Sequence, residues 1–179
     1  MKFQSAILIH PGLNNSGTEH WQTKWEKKYP ELHRVQQANW DKPICKDWIQ
    51  QLDEEIMKYS PANVILVAHS LACTTVSYWA AYYKRQIKGA LLVGPSDTEA
   101  DSYPPGTTGF KPVPLLRLPF PSIVVMSAND PYVSIERAML FAEKWGSDIV
   151  NIGNAGHINA AAGYGDWEEG LNYIKQLDQ

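Results

Sequence analysis

At 179 residues the chain has the length of one domain, a size that buries roughly 70% of the surface its unfolded form exposes. Its 44% hydrophobic and 20% charged residues exclude a disordered or fibrous protein, and a net charge of −3 offers no cationic field to nucleic acid or anionic lipid. The apolar run before His10 is too short for a signal segment, and no stretch approaches the ~18 apolar residues of a membrane span. Two cysteines, Cys45 and Cys73, make neither a disulfide framework nor a zinc spacing, so a reducing cytoplasm without structural metal is expected.

Six short runs carry strand character: 6–10, 33–38, 63–68, 89–93, 122–127 and 148–152. Most are continuously apolar and β-branched, the pattern of a parallel strand covered on both faces. Helical stretches separate them. Residues 21–28 and 48–57 are amphipathic, and 71–83 is nearly all apolar or small. A Ser134 N-cap opens 135–145, which stops at Gly146, and 167–177 begins with Asp166 and Glu169 at capping-box spacing. Alternation of this kind predicts a single α/β domain over 1–179, with a mostly parallel six-stranded sheet, helices on both faces and ligands at the carboxyl ends of the strands. Residues 95–121 break the pattern with seven prolines and no helical period.

A serine nucleophile on a tight strand-to-helix turn needs small residues two places before and after it. Among all the serines only Ser70, in Ala68-His69-Ser70-Leu71-Ala72, has Gly or Ala at both places, and it falls where the best strand becomes a helix. The competing reading makes Ser70 an ordinary helix cap. A serine hydroxyl also needs a base, and the base an acid to fix its tautomer, in the chain order Ser, Asp or Glu, His. Asp130 follows the fifth strand and His157 the sixth, His157 being the only histidine after Ser70, and Gly153 and Gly156 free its loop to reach over the sheet. Asp97, beyond the fourth strand, is the rival acid, but it lies one strand further from His157. The oxyanion would sit between the N–H groups of Leu71 and Leu13, with Gly12 permitting the turn and His10 bracing the loop.

The blocks 10–21, 67–71, 127–132 and 155–159 together resemble the small serine hydrolases of the YdeN and retinoblastoma-binding-protein type, almost end to end. That resemblance implies an α/β-hydrolase fold whose first two strands are swapped in space, without a large lid, and a Ser-Asp-His triad at Ser70, Asp130 and His157. The alanines at 68 and 72 depart from the glycines usual in hydrolases.

Other readings fail on chemistry. Gly12 and Gly17 have P-loop spacing, but Thr18 and Glu19 stand where a phosphate site needs Lys and Ser/Thr. Cys73 lies inside the helix after the elbow and reads as a buried small hydrophobe, and the seven tryptophans read as core. The expected function is hydrolysis of a carboxylic ester or related acyl compound, with a small acyl molecule as partner and no cofactor; the alternative is an idle hydrolase fold used as a protein-binding module. The proline-rich segment is expected to wall the acyl pocket, with Phe110, Leu115 and Leu116 touching substrate.

Overall fold

A computed structural model describes residues 2–179. Six strands, β1 (Ala6–His10), β2 (Leu32–Arg34), β3 (Val64–His69), β4 (Gly89–Val93), β5 (Ser122–Met126) and β6 (Asp148–Asn151), form one parallel sheet in the order β2-β1-β3-β4-β5-β6. The first two strands are exchanged in space, as in α/β-hydrolases. The five α-helices among the described residues are α1 (Trp21–Lys28), α2 (Cys45–Ile56), α3 (Leu71–Tyr83), α4 (Ile135–Trp145) and α5 (Gly170–Leu177).

Side chains alternate across a strand, and the central strands are apolar at both parities, so the sheet carries a core on each face. Leu8, Leu66, Leu92 and Val124 pack with Trp48 of α2, Trp79 of α3 and Phe141 and Trp145 of α4. Ile7, Ile9, Val67 and Val125 pack on the other face with Trp21 and Trp25 of α1 and Leu171 and Ile174 of α5. The tryptophans therefore serve the core, as their helical spacing predicts. No helix among the described residues is long and apolar enough to cross a membrane.

Three boundaries differ from the sequence expectation by more than one residue. Strand β2 is shorter than 33–38: Val35 still donates to the Ile9 carbonyl, but Gln37 turns inward, its Nε2 reaching His10 Nε2 and the Trp48 carbonyl. Helix α2 begins three residues earlier than 48, where Cys45 N–H donates to the Thr108 carbonyl from the proline-rich segment. Helix α5 begins at Gly170 instead of Trp167; no Asp166 cap forms, and residues 167–171 turn through i to i+3 hydrogen bonds. The expected Ser134 cap does form, accepting from Arg137 N–H, and Gly146 ends α4 in the left-handed conformation.

The 95–121 segment has no regular element but is pegged to the helices. Phe110 packs on Trp48, Tyr78 Oη donates to the Pro112 carbonyl, and Trp145 Nε1 donates to the Pro114 carbonyl. Its length is thereby reconciled with a compact fold.

Candidate active site

The carboxyl ends of β1, β3, β4, β5 and β6 converge on one cleft of about 200 Å³. Ser70 joins β3 to α3 with φ 59° and ψ −124°, a conformation that costs a non-glycine residue of order 1–3 kcal/mol. Its own N–H donates to the Val93 carbonyl at 3.0 Å, tying the turn to β4, while Ala68 and Ala72 are fully buried on either side. Alanine is thus small enough for this elbow. The side chain makes no capping hydrogen bond to α3, so Ser70 is not an ordinary helix cap.

Ser70 Oγ lies 2.9 Å from His157 Nε2, and His157 Nδ1 lies 2.8 and 3.0 Å from the two carboxylate oxygens of Asp130. Asp130 Oδ1 also accepts from Tyr132 N–H at 2.9 Å, which fixes the carboxylate plane. A carboxylate can only accept, so Nδ1 carries the imidazole proton and the Nε2 lone pair faces the serine hydroxyl. Asp97, the rival acid, is bound instead to Arg137, through Nε at 2.8 Å and Nη2 at 3.1 Å.

The loop carrying His157 is built for this placement. Gly156 has φ 54°, and a Cβ there would stand 2.9 Å from Ala162 Cβ. Ser127 Oγ accepts from Ala155 N–H, and Asn129 Oδ1 accepts from Gly156 N–H, so the loops after β5 and β6 are stitched together beside the His157–Asp130 pair. The His157 carbonyl accepts from His69 Nε2 at 2.9 Å and the next carbonyl, of Ile158, from Trp21 Nε1 at 2.8 Å. His69 is fully enclosed, and burial, followed by the neighbouring His157 and His20, holds its pKa well below the usual 6.5, so it stays neutral.

Gly12 packs directly on the elbow: a Cβ there would meet both the His69 carbonyl oxygen and Ser70 Cβ at 2.8 Å. The same Cβ would stand 3.2 Å from the backbone nitrogen of Leu71, the first residue of α3, and neither the Leu13 nor the Leu71 N–H donates to another group among the described residues. His10 Nδ1 donates to the Pro11 carbonyl at 2.9 Å, and burial lowers its pKa to about 4, consistent with a brace that stays neutral.

Residues singled out for the pocket wall are elsewhere. Phe110 is buried in the core, Leu115 and Leu116 are exposed, and Leu116 lies beside Ala80 and Lys84 of α3, away from the cleft. An apolar side chain on a stiff segment found the core first. The segment does line the cleft, but with Ser96, Tyr103 and Pro104. Cys73 is buried, its thiol pushed far up in pKa by desolvation, with Sγ against the Ala68 and Val93 carbonyls.

Ser96, His69, His20 and Tyr132 are among the cleft residues that the sequence did not single out. Ser96, 1% exposed, lies 2.8 Å from Ser70 Oγ; because the serine proton is committed to His157, Ser96 is the donor of that contact. His69 and His20 follow in series behind His157, their rings tilted or edge-on with centroids 4.8 Å apart at each step, and Tyr132 sets its ring 4.6 Å from that of His157. Tyr132 stands two places after Asp130 and His69 immediately before Ser70, which are the local signals available; Ser96 and His20 arrive through contacts tens of residues apart.

The profile of the serine hydrolase family matches residues 7–176. A solved structure described as a YdeN-like hydrolase of Pectobacterium atrosepticum is 31% identical, covers 98% of this chain and 91% of its own, and superposes with a TM-score of 0.85. The ydeN gene product of B. subtilis is 18% identical over 97% of this chain and 98% of its own, with a TM-score of 0.75. The Bacillus cereus carboxylesterase, 15% identical over 99% of this chain and 92% of its own with a TM-score of 0.58, shares the fold. No curated protein matches the chain significantly.

Proposed function

The chain belongs to the serine hydrolase family, and we propose that it cleaves a carboxylic ester or related acyl compound through an acyl-enzyme on Ser70. The observation that carries this reading is the unbroken line from Ser70 Oγ to His157 to Asp130, with the serine held on a strained elbow. His157 Nε2 takes the hydroxyl proton as Oγ attacks the carbonyl carbon, and Asp130 stabilises the imidazolium. The carbonyl oxygen, now an oxyanion, receives the Leu13 and Leu71 N–H groups and the positive end of α3. Collapse of the tetrahedral adduct expels the alcohol, which takes the proton from His157. A water molecule then repeats the sequence, giving its proton to Nε2 and releasing the acid and free Ser70. Esterases among the neighbours, including the Bacillus cereus carboxylesterase, are in keeping with that chemistry.

Hydrolysis of activated short-chain esters by the wild type, Ser70→Ala and His157→Ala tests the proposal. Both variants should fold and lose turnover almost completely, because single losses from such a unit behave as loss of the whole. A His157→Ala enzyme retaining more than about a tenth of wild-type kcat would contradict the assignment. No turnover by the folded wild type would favour an idle fold serving as a binding module.

A further inference from the structure

We infer that the cleft receives a short acyl group carrying an oxygen acceptor beyond the scissile carbonyl, because three of the side chains lining it, those of His20, Asn15 and Asn159, have their acceptor atoms already taken and keep an N–H group with no partner among the described residues. This rests on the hydrolase reading above.

His20 Nδ1 accepts the Gln22 backbone N–H at 3.2 Å as the N-cap of α1. A backbone amide only donates, so the ring proton sits on Nε2. Burial, with the neighbouring His157 and Arg34, lowers the His20 pKa to about 4 and keeps the ring neutral. The side chain is only 7% exposed yet lines the cleft, and its Nε2–H has no acceptor among the described residues. Asn15 repeats the arrangement. Its Oδ1 accepts from Ser16 N–H and Arg34 Nη1, each at 2.8 Å, which fixes the amide orientation and leaves Nδ2 as the unpaired end. Asn159 does so as well, Oδ1 accepting from Ala162 N–H at 3.1 Å.

No carboxylate lines the cleft: Asp130 is fully covered by its contacts with His157, and the Arg34 guanidinium is paired with Glu26. A purely hydrocarbon acyl chain would strip water from these N–H groups and return nothing, whereas an ether, keto or carboxylate oxygen would accept from them. The volume of about 200 Å³ lies below that of sites built for drug-sized ligands and limits the acyl group to a few atoms. Asn15 lies in the same loop as Leu13, two residues beyond it, and its donor is assigned to the acyl side of the carbonyl.

The test compares p-nitrophenyl methoxyacetate with p-nitrophenyl butyrate, which differ by one ether oxygen in place of a methylene. Each kcat/KM is divided by the rate of the same ester with hydroxide, removing intrinsic reactivity. The corrected ratio should favour methoxyacetate by at least about tenfold, since a site that hydrogen-bonds a substrate oxygen discriminates against the analogue lacking it. Asn159→Asp and Asn15→Asp keep the Oδ1 contact and replace the free donor by an acceptor; His20→Asn keeps the helix cap and withdraws the Nε2–H. In each folded variant the ratio should fall towards one. Turnover of both esters at equal corrected rates by the wild type, or a ratio unmoved in all three variants, overturns this inference alone. Turnover of neither ester by the wild type overturns the hydrolase reading and this inference with it.

Discussion

Lowering the pH from about 7.5 to 5 should remove about 4 kcal/mol of stability through two enclosed histidines alone. His10 and His20 are neutral in the fold with pKa values near 4, because burial disfavours their charged forms, while in the unfolded chain each returns to 6.5. Below 6.5 the unfolded state therefore binds more protons than the native one, so stability is full above that value and is lost as the pH falls towards 4. For each histidine the linkage integral between pH 7.5 and 5 is about 2 kcal/mol, and His69, shifted in the same direction, adds to the sum. Ordinary carboxylates titrate below about 4.5, so this window isolates the histidines. Urea unfolding followed by tryptophan fluorescence should show the midpoint falling by about 2 M at an m-value of about 2 kcal/mol/M. His10→Asn keeps a donor for the Pro11 carbonyl but does not titrate, and its pH-dependent loss should be smaller by about 2 kcal/mol whatever its absolute stability. An unchanged wild-type midpoint between the two pH values, or a full-sized loss in His10→Asn, would refute the reasoning.

Asp130→Asn should keep the fold and favour the wrong imidazole tautomer, lowering kcat on an activated ester by as much as ~10⁴-fold, whereas Asp97→Asn, which disturbs the Arg137 pair and the turn at the Glu99 N–H, should cost less than about tenfold. A larger loss at Asp97 would reverse the choice of acid. Ser96→Ala removes one neutral donor from Ser70 Oγ, and its kcat should fall about fivefold, the equivalent of ~1 kcal/mol; kcat equal to the wild type would deny Ser96 a positioning role. Gly12→Ala forces a Cβ to within 2.8 Å of Ser70 Cβ and the His69 carbonyl oxygen, so stability should drop by about 1–3 kcal/mol with a larger proportional loss of kcat. Urea unfolding and ester kinetics on the same preparation check both parts.

The legible parts of the fold are those decided by local pattern. β1, β4, α1, α3 and α4 have the boundaries that periodicity and capping predict, since apolar runs and the Ser134 and Gly146 signals act within a few residues. The start of α2 depends on Thr108, and the early end of β2 on Gln37 turning towards His10, contacts that no window of sequence contains. At the site, the convergence of Ser70, Asp130 and His157 was legible because each sits at a strand end in the chain order usual for a triad on an α/β-hydrolase fold. The wall was not: Phe110 was chosen for being apolar, yet the cleft is lined largely by polar groups, and an apolar ring is more stable against Trp48. His69 adjoins Ser70 in sequence, but its hydrogen bond to the His157 carbonyl spans 88 residues and that of Ser96 to Ser70 spans 26, contacts that only the sheet order brings together.

The central claim is that Ser70 carries the acyl group, and labelling with a fluorophosphonate followed by peptide mass mapping tests it most directly. The folded wild type should take up one equivalent of the probe, located on the peptide containing Ser70, and Ser70→Ala should take up none. Labelling of Ser70→Ala at the wild-type level, or an adduct mapped to any other residue, would contradict the account.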